Sequence, residues 1–311
     1  MNDKTGEVTP FKAFIKLSRL EYLSLSGSAY FIGVVLAWSE FGTIDWLILF
    51  LGLLAIFLLH LTGHYTNEYW DFETDKLNRM HTKFSGGTRV LVDGFLERKW
   101  AIRAAILSVT CALLIIVILY LFYKTGIHTI TLFAMLTFIG WSHAGKPFRL
   151  NYKGLGEIEL SFLAPLISTT GYYLQTSSFS MVLILACMPL LFILFAQQLM
   201  VSLPDFESDR ARSKRTLVVL LGRGKAIQTI ILSLALAYVL TLLGIFMGLP
   251  LVVAGLLLLT LPISVSTILF TRGKDFKNHR ELVELCERGA KLVLSAIFLV
   301  LIGFVISALL Y

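Results

Sequence analysis

The residues of this chain with the clearest chemical potential lie in two short acidic segments. Within each segment a carboxamide or carboxylate side chain recurs at every fourth position. These residues are Asn67, Asp71 and Asp75 in the first segment and Asp205 and Asp209 in the second. Residues four apart lie on one face of a helix, so each segment is predicted to present its polar side chains in a row. Like charges at this spacing repel, and the rows therefore favour a bound cation.

The oxygen atoms of these rows suit one class of ligand. Mg²⁺ prefers carboxylate oxygens and usually completes its coordination shell with water and phosphate oxygens. Lysines and arginines follow both segments, and such side chains neutralise phosphate charge. The pattern predicts a magnesium and phosphate site built from two half-sites. The alternative is that each acidic segment is simply a solvated end of a helix.

The composition indicates what kind of scaffold must position the two segments. Of the 311 residues, 57% are hydrophobic and only 15% are charged, whereas soluble domains are charged at about a quarter of their positions. The apolar residues form long uninterrupted runs, which favours membrane-spanning helices over the alternating strands of a barrel. We therefore predict an all-α protein, a polytopic membrane bundle that forms a single domain over residues 1–311.

Nine stretches of the chain approach the roughly 20 apolar residues that a membrane span requires. The predicted transmembrane helices are Tyr22–Trp38, Trp46–His64, Ala104–Tyr123, Ile127–Ala144, Ile158–Leu174, Met181–Leu203, Ala226–Met247, Pro250–Phe270 and Leu292–Leu310. The acidic segments follow the second and the sixth of these spans.

The distribution of basic residues predicts the orientation of the bundle. With nine spans, every lysine and arginine except Lys124 lies on the same side of the membrane as the N-terminus. Loops rich in these residues stay in the cytoplasm. We therefore expect an integral protein of the cell membrane whose residues 1–21 and acidic loops, 66–100 and 204–225, face the cytoplasm. Membrane lipid is an expected partner and nucleic acid is not.

The two acidic segments, each followed by basic residues and a glycine, resemble a weak internal repeat. A transporter is the main alternative of another class, because transporters also carry ionisable groups and internal repeats. Their substrate sites lie near the middle of the bilayer. Here the carboxylates cluster at one interface, and only Glu40 and Asp45 face the other side. This favours an enzyme acting on an amphiphile with a charged head and a buried tail.

The paired motifs, placed after the second and sixth spans, resemble those of the UbiA superfamily of intramembrane prenyltransferases. Within that superfamily the chain is most similar to the menaquinone branch, the 1,4-dihydroxy-2-naphthoate prenyltransferases. The similar stretches are Ser85–Val92, Gly154–Glu157, Gly171–Gln175 and Arg215–Leu217. The chain departs from the branch at Val201–Pro204, where paired asparagines and an arginine are usual, and at Ser213, where glycine is usual.

The resemblance implies Mg²⁺-dependent transfer of a polyprenyl group from its diphosphate to an aromatic acceptor in lipid-quinone biosynthesis. It implies metal ligation by all four aspartates of the two motifs, and a catalytic role for Asn67. Basic candidates for contacts with phosphate or acceptor are Lys83, Arg89, Lys146, Arg149 and Lys153. The favoured acceptor is 1,4-dihydroxy-2-naphthoate. A phenolic, phenazine or glycerol-phosphate acceptor stays open.

Aromatic side chains are candidates for stabilising an allylic cation, because the face of an aromatic ring attracts positive charge. The candidates are Tyr65, Tyr69, Trp141, Tyr172 and Tyr173, and the alternative for each is ordinary packing or a place at the membrane interface. His60 and His64 lie on the same helical face as Asn67. They are expected to line the cavity or to form hydrogen bonds within the bundle. Glu157 is predicted either to cap a helix or to contact the acceptor.

Overall fold

The computed structural model describes residues 9–310, and all regular secondary structure in this range is helical. The α-helices are α1 (Pro10–Ser18), α2 (Leu23–Phe41), α3 (Trp46–Trp70), α4 (Phe72–Leu77), α5 (Arg98–Leu121), α6 (Ile127–Ser142), α7 (Gly156–Ser161), α8 (Leu163–Thr176), α9 (Met181–Ser202), α10 (Phe206–Ala211), α11 (Leu217–Phe246), α12 (Leu251–Leu258), α13 (Leu261–Thr271) and α14 (His279–Leu310). Short 3₁₀ turns occur at Leu20–Tyr22, Leu150–Tyr152 and Leu203–Asp205. The prediction of an all-α protein is confirmed for the described range.

Helix lengths support fewer spans than the nine predicted. Within residues 9–310, seven helical segments are long and apolar enough to cross a membrane. The fourth predicted span is α6, whose 16 residues extend about 24 Å against a hydrocarbon core of about 30 Å. The fifth is divided at Phe162 into α7 and α8, because Pro165 cannot continue the hydrogen bonding of a helix across this point. The count of nine is therefore not confirmed.

The bundle is held together by extended helix pairs, chiefly α3 with α5, α9 with α11 and α2 with α8. Glycines let α2 and α8 approach until their backbones touch. A Cβ atom on Gly33 would lie 1.9 Å from the carbonyl oxygen of Ser168, and one on Gly171 would lie 2.3 Å from that of Tyr30. Close backbone approach at small residues is the usual way in which helices associate in lipid. This contact fixes two of the helices that enclose the central cavity.

Each acidic segment lies where a long helix gives way to a short one. Asp71 separates α3 from α4 with φ −90° and ψ 1°, yet Asp71 N still donates to Asn67 O and Asp75 N to Asp71 O, both at 2.9 Å. In the second segment Pro204 lies in the 3₁₀ turn between α9 and α10. The expectation of one continuous helical row is therefore corrected: the rows cross breaks between helices.

Candidate active site

Both acidic segments line a single cavity of about 460 Å³. Asn67, Asp71 and Asp75 contribute to its wall from the α3–α4 junction, and Asp205 and Asp209 contribute from the α9–α10 junction. The two predicted half-sites therefore meet, although more than 120 residues separate them in the sequence (Asn78 Nδ2 reaches Asp205 Oδ1 across a separation of 127 residues, for example).

Lys214 joins the two segments. Its Nζ lies 2.8 Å from Asp71 Oδ2 and 3.5 Å from Asp209 Oδ1, and all three side chains are buried. The loop after α10 turns back so that Lys214 N donates to Asp209 O at 2.9 Å, which directs the side chain between the carboxylates. Burial alone would lower the pKa of Lys214, but the charges of Asp71 and Asp209 outweigh it and raise the pKa. The lysine is therefore a charged counter-ion within the site.

Asp71 is also held from the loop between α6 and α7. Tyr152 Oη donates to Asp71 Oδ1 at 2.8 Å, and Asn151 Nδ2 donates to Asp71 Oδ2 at 3.2 Å. Burial, together with the negative charge of Asp71, raises the pKa of Tyr152, so its hydroxyl keeps the proton that it donates. With Lys214, three donors from two distant parts of the chain fix the orientation of this carboxylate.

The loop that contains Gly86 and Gly87, within the stretch Ser85–Val92, packs directly on Asp75. Gly87 has φ +71°, and a Cβ atom on it would lie 2.4 Å from Asp75 Oδ2. Only glycine meets both conditions without strain. Burial is the main cause that raises the pKa of Asp75 well above its ordinary value, and the neighbouring Asp71 adds to it. A carboxyl group in this environment gains from any cation that binds beside it.

Beyond the carboxylates the cavity is mostly apolar. Its inner walls come from α2, α3, α6, α8, α9 and α14. The apolar residues on these helices are Leu25, Ala29, Ile56, Leu59, Leu136, Ile139, Leu163, Ala164, Ile167, Leu194, Val201, Ala290, Val293, Leu294 and Ile297. His60 and His64 line it on α3, as predicted, and His60 Nδ1 forms a hydrogen bond with Ser26 Oγ. The cavity thus combines an anionic end with an apolar interior.

The donor set suits Mg²⁺, which favours carboxylate and carbonyl oxygens. Asn67 Oδ1 is buried and has no hydrogen-bond partner within the described range, so it adds a free oxygen to the four carboxylates. In the arrangement observed for residues 9–310, no three His, Cys, Asp or Glu side chains come close enough to enclose an ion. The ammonium group of Lys214 lies between the carboxylates instead.

A sequence profile described as the UbiA prenyltransferase family matches residues 28–285, a range that includes both acidic segments. The chain belongs to the UbiA prenyltransferase family. It is therefore a membrane prenyltransferase, and the predicted resemblance is confirmed. Membership of an enzyme family also decides against the transporter alternative.

Relatives of this UbiA-family protein act on different acceptors. The chain is 25% identical over 244 residues to the 1,4-dihydroxy-2-naphthoate octaprenyltransferase of Bacillus subtilis, and the matched region covers 76% of each of the two chains. It is 26% identical over 303 residues to the digeranylgeranylglyceryl phosphate synthase of Thermococcus kodakarensis, which covers 96% of this chain and 99% of the relative. A UbiA homolog from Archaeoglobus fulgidus bound to GPP and Mg²⁺ shares the fold, with TM-score 0.66 at 15% identity over 93% of this chain and 99% of that one.

Of the basic residues proposed for phosphate or acceptor contacts in this prenyltransferase, only Lys83 lines the cavity, where it is exposed. Arg89 instead donates from Nη1 to Asp75 O and pairs with Asp93, so it braces the first segment. Arg149 stacks its guanidinium group on the ring of Tyr152, with 3.5 Å between the Cζ atom and the ring centroid. Lys146 and Lys153 are exposed and lie outside the cavity wall; the Nζ atom of Lys146 lies over the ring of Trp70.

The proposed aromatic residues do not line the cavity. Tyr65 forms a hydrogen bond with Ser18 Oγ at 2.7 Å, and Tyr69 packs beneath the guanidinium group of Arg98. Trp141 donates from Nε1 to the carbonyl oxygen of Lys146. Each side chain thus has a structural role where it lies.

Tyr172 and Tyr173 lie at the opposite end of the bundle from the carboxylates. Gln175, at the same end of α8, accepts a hydrogen bond from the backbone nitrogen of Asp45. Asp45 caps the start of α3, whereas Asp71 follows the end of that helix. Tyr172 donates to Glu40, and Tyr173 packs against Phe179. The arrangement therefore does not support the expectation that Tyr173 contacts the substrate at the diphosphate site.

Glu157 caps a helix and also lines the cavity. Its carboxylate accepts from Leu217 N at 3.2 Å and from Val218 N at 3.5 Å, at the start of α11. Sequence reasoning missed Lys214, Asn151 and Tyr152 as parts of the site. Lys214 follows Asp209 closely but is one of several basic residues in that loop, and Asn151 and Tyr152 lie between the candidates Arg149 and Lys153.

Proposed function

We propose that this protein transfers a polyprenyl group from an allylic polyprenyl diphosphate to an aromatic acceptor in lipid-quinone biosynthesis, and that the acceptor is 1,4-dihydroxy-2-naphthoate. The observation that carries the proposal is the cavity, which joins two rows of carboxylates to an apolar interior. Such a cavity fits a molecule with a charged head and a long hydrocarbon tail. The naphthoate acceptor is supported by the relative from Bacillus subtilis.

The carboxylates would hold Mg²⁺ and, through it, the diphosphate. Asp71, Asp75, Asp205 and Asp209 are the proposed ligands, with Asn67 Oδ1 free to accept a hydrogen bond from a metal-bound water. The bound ion supplies positive charge that stabilises the departing diphosphate. The bound ligands of the homolog from Archaeoglobus fulgidus support this assignment.

The residues of the chain itself have three further tasks in this proposal. Lys214, released from part of its contact with Asp71 and Asp209, offers its ammonium group to the diphosphate, and Lys83 approaches from the mouth of the cavity. The apolar walls hold the isoprenoid tail. They also keep water from the allylic carbon as the C–O bond breaks, so that this carbon reacts with the acceptor instead of with water.

The proposed topology is a single domain with nine spans, an N-terminus in the cytoplasm and the acidic loops on the cytoplasmic side. The distribution of lysine and arginine supports it. Single-cysteine variants provide a test: a membrane-impermeant maleimide applied to intact cells is expected to label Lys124→Cys but not Lys153→Cys. The opposite labelling pattern would show that the protein has the reverse orientation in the membrane.

The proposed activity is tested with purified protein, Mg²⁺, radiolabelled polyprenyl diphosphate and 1,4-dihydroxy-2-naphthoate. A labelled, organic-soluble product that depends on both substrates and on Mg²⁺ is the expected result. Parallel reactions contain phenolic and phenazine acceptors. Product formed only with one of these would keep the reaction class but reject the naphthoate.

A second candidate acceptor is a glycerol-phosphate lipid. The digeranylgeranylglyceryl phosphate synthase of Thermococcus kodakarensis matches 96% of this chain, whereas the naphthoate enzyme of Bacillus subtilis matches 76%. A prenylated glycerol phosphate is therefore included in the same assay. Turnover of this acceptor alone would favour ether-lipid synthesis over quinone synthesis.

A further inference from the structure

His143 lines the cavity with the two carboxylate rows, is paired with Glu159 behind it, and has no part in the assignment above. His143 Nδ1 lies 2.9 Å from Glu159 Oε1, and Ser142 Oγ donates to Glu159 Oε2 at 3.1 Å. Both oxygens of the glutamate are thus engaged. Glu159 is nearly buried, with 9% of its side chain exposed, so the imidazole ring is held in one orientation by a partner that is itself fixed.

The second nitrogen of the ring is free. His143 lines the cavity, and its Nε2 forms no hydrogen bond with any residue of the described range. A Cβ atom on Gly156 would lie 2.9 Å from His143 Cε1, so this glycine leaves room for the ring. Asn151 N donates to His143 O at 2.9 Å while the side chain of Asn151 donates to Asp71. Asn151 thus links the backbone of His143 to Asp71, a proposed metal ligand.

An imidazole that donates from Nδ1 to a carboxylate keeps Nε2 as a proton acceptor, and the carboxylate stabilises the imidazolium that then forms. A reaction that prenylates a hydroxylated ring gains from such a base, because an ionised hydroxyl makes its ring strongly nucleophilic. We infer that His143, oriented by Glu159, is the general base that accepts the hydroxyl proton of the acceptor. The inference rests on the proposed function, which supplies the hydroxylated aromatic acceptor.

The step balances without another reagent. The hydroxyl proton moves to His143 Nε2, and the oxygen's electrons make a ring carbon nucleophilic. That carbon bonds to the allylic carbon of the donor, whose C–O bond breaks with both electrons leaving on the diphosphate. The ring then becomes aromatic again by losing from the same carbon either carbon dioxide or a proton, and the departed diphosphate accepts that proton. The imidazolium finally returns its proton to the oxygen.

The other histidines near the cavity are less suited to this role. His64 precedes Asp71 by seven residues on α3, about 10 Å along the helix axis and deeper in the apolar part of the cavity. His60 lies a further turn away and its Nδ1 is engaged with Ser26. His143 combines a position beside the carboxylates with an orienting glutamate.

The test compares His143→Ala, His143→Gln and Glu159→Gln with the wild-type protein in the labelled transfer assay. We expect His143→Ala to lower kcat by about 100- to 10,000-fold, with KM for both substrates near the wild-type value. Added imidazole is expected to restore turnover in this variant, and substituted imidazoles to do so in order of their basicity. Glu159→Gln is expected to show a smaller loss. His128→Ala, at the other end of α6, is the matched control and is expected to keep the wild-type rate.

Two results would overturn the inference. One is near-normal kcat in His143→Gln, which can donate to Glu159 but cannot take up a proton. The other is a loss in His143→Ala that no imidazole restores, accompanied by an equal loss of substrate affinity. If the alanine variant does not fold, the glutamine variant decides the question by itself. Failure of the proposed function is a separate outcome, in which the wild-type protein prenylates no hydroxylated aromatic.

Discussion

Substitution of Lys214 by methionine removes the positive charge that joins the two acidic segments and nearly preserves the side-chain length. Opposite charges at the observed 2.8 and 3.5 Å attract by about 6 and about 5 kcal/mol at an effective dielectric constant near 20. Desolvation of the lysine offsets much of this attraction. Removing one partner of a buried ion pair costs about 3–5 kcal/mol, because the remaining charge is left uncompensated.

The expected consequence is a fall in thermal stability in metal-free buffer. At about 2 °C per kcal/mol for a chain of this size, Lys214→Met should lower Tm by about 6–10 °C. The measurement is thermal unfolding in detergent with and without Mg²⁺. Because the carboxylates no longer have an ammonium counter-ion, Mg²⁺ should raise Tm more in the variant than in the wild type. Lys153→Met is the control, since Lys153 is exposed outside the cavity, and no shift is expected.

A double variant separates this electrostatic argument from simple loss of packing. Asp71→Asn removes one of the carboxylates that Lys214→Met leaves unpaired, so the two substitutions together should destabilise less than the sum of their separate effects. Strictly additive losses, or an unchanged Tm in metal-free Lys214→Met, would refute the view that Lys214 is the counter-ion of the site.

Three further outcomes follow from the geometry. Asp205→Asn is expected to lower transfer by about 100-fold or more without loss of membrane insertion, and EDTA should abolish wild-type transfer until Mg²⁺ is restored; unchanged turnover in both tests would refute metal-assisted ionisation. Gly87→Ala should lower transfer by about tenfold, because strain at positive φ costs about 1–3 kcal/mol and its methyl group collides with Asp75. Gly94→Ala, with φ +77° and nothing within 4 Å, shares only the backbone strain and should retain activity in the same assay. Tyr173→Phe should leave kcat and KM unchanged, because the ring lies outside the cavity. A tenfold loss of kcat/KM would show that Tyr173 contacts the substrate after all.

The carboxylate rows were predictable because their four-residue spacing follows directly from helix geometry. Their meeting in one cavity depends on how α3 and α9 pack, which the spacing does not encode. It was expected because two acidic segments followed by lysines and arginines together suit one magnesium and phosphate site. Lys214 could not be singled out among the many basic residues of the loops. What distinguishes it is the tight turn after α10, where its backbone nitrogen bonds to Asp209.

Two of the aromatic predictions conflict with helix arithmetic. Tyr65 and Tyr69 lie two residues from Asn67, which places them about 200° around the helix from it. They therefore pack against α1 and α5 while the face of Asn67 lines the cavity. His64 precedes Asn67 by three residues and His60 precedes His64 by four, so both lie on the face of Asn67 and line the cavity.

Tyr173 conflicts with the predicted topology itself. A span that begins near Ile158 on the cytoplasmic side reaches the other side by Leu174, so a tyrosine at its end cannot lie at the cytoplasmic site. The break at Phe162 shortens α8 to 14 residues but does not alter this direction. The number of spans was the weaker inference, because hydropathy does not reveal where a proline divides a helix.

The position of Lys214 bears on how metal and substrate enter. Four carboxylates in one partly buried cavity repel each other strongly, and an internal ammonium group relieves part of that repulsion through Asp71 and Asp209. A divalent ion bound by the same oxygens competes directly with this ammonium group. Its binding is most favourable when a diphosphate arrives with it, because the displaced lysine then gains a new anionic partner. If the proposed metal ligands are correct, the ion pair would couple metal binding to donor binding. Lys214→Met should then weaken that coupling: the diphosphate should increase the affinity for Mg²⁺ by a smaller factor in the variant than in the wild type.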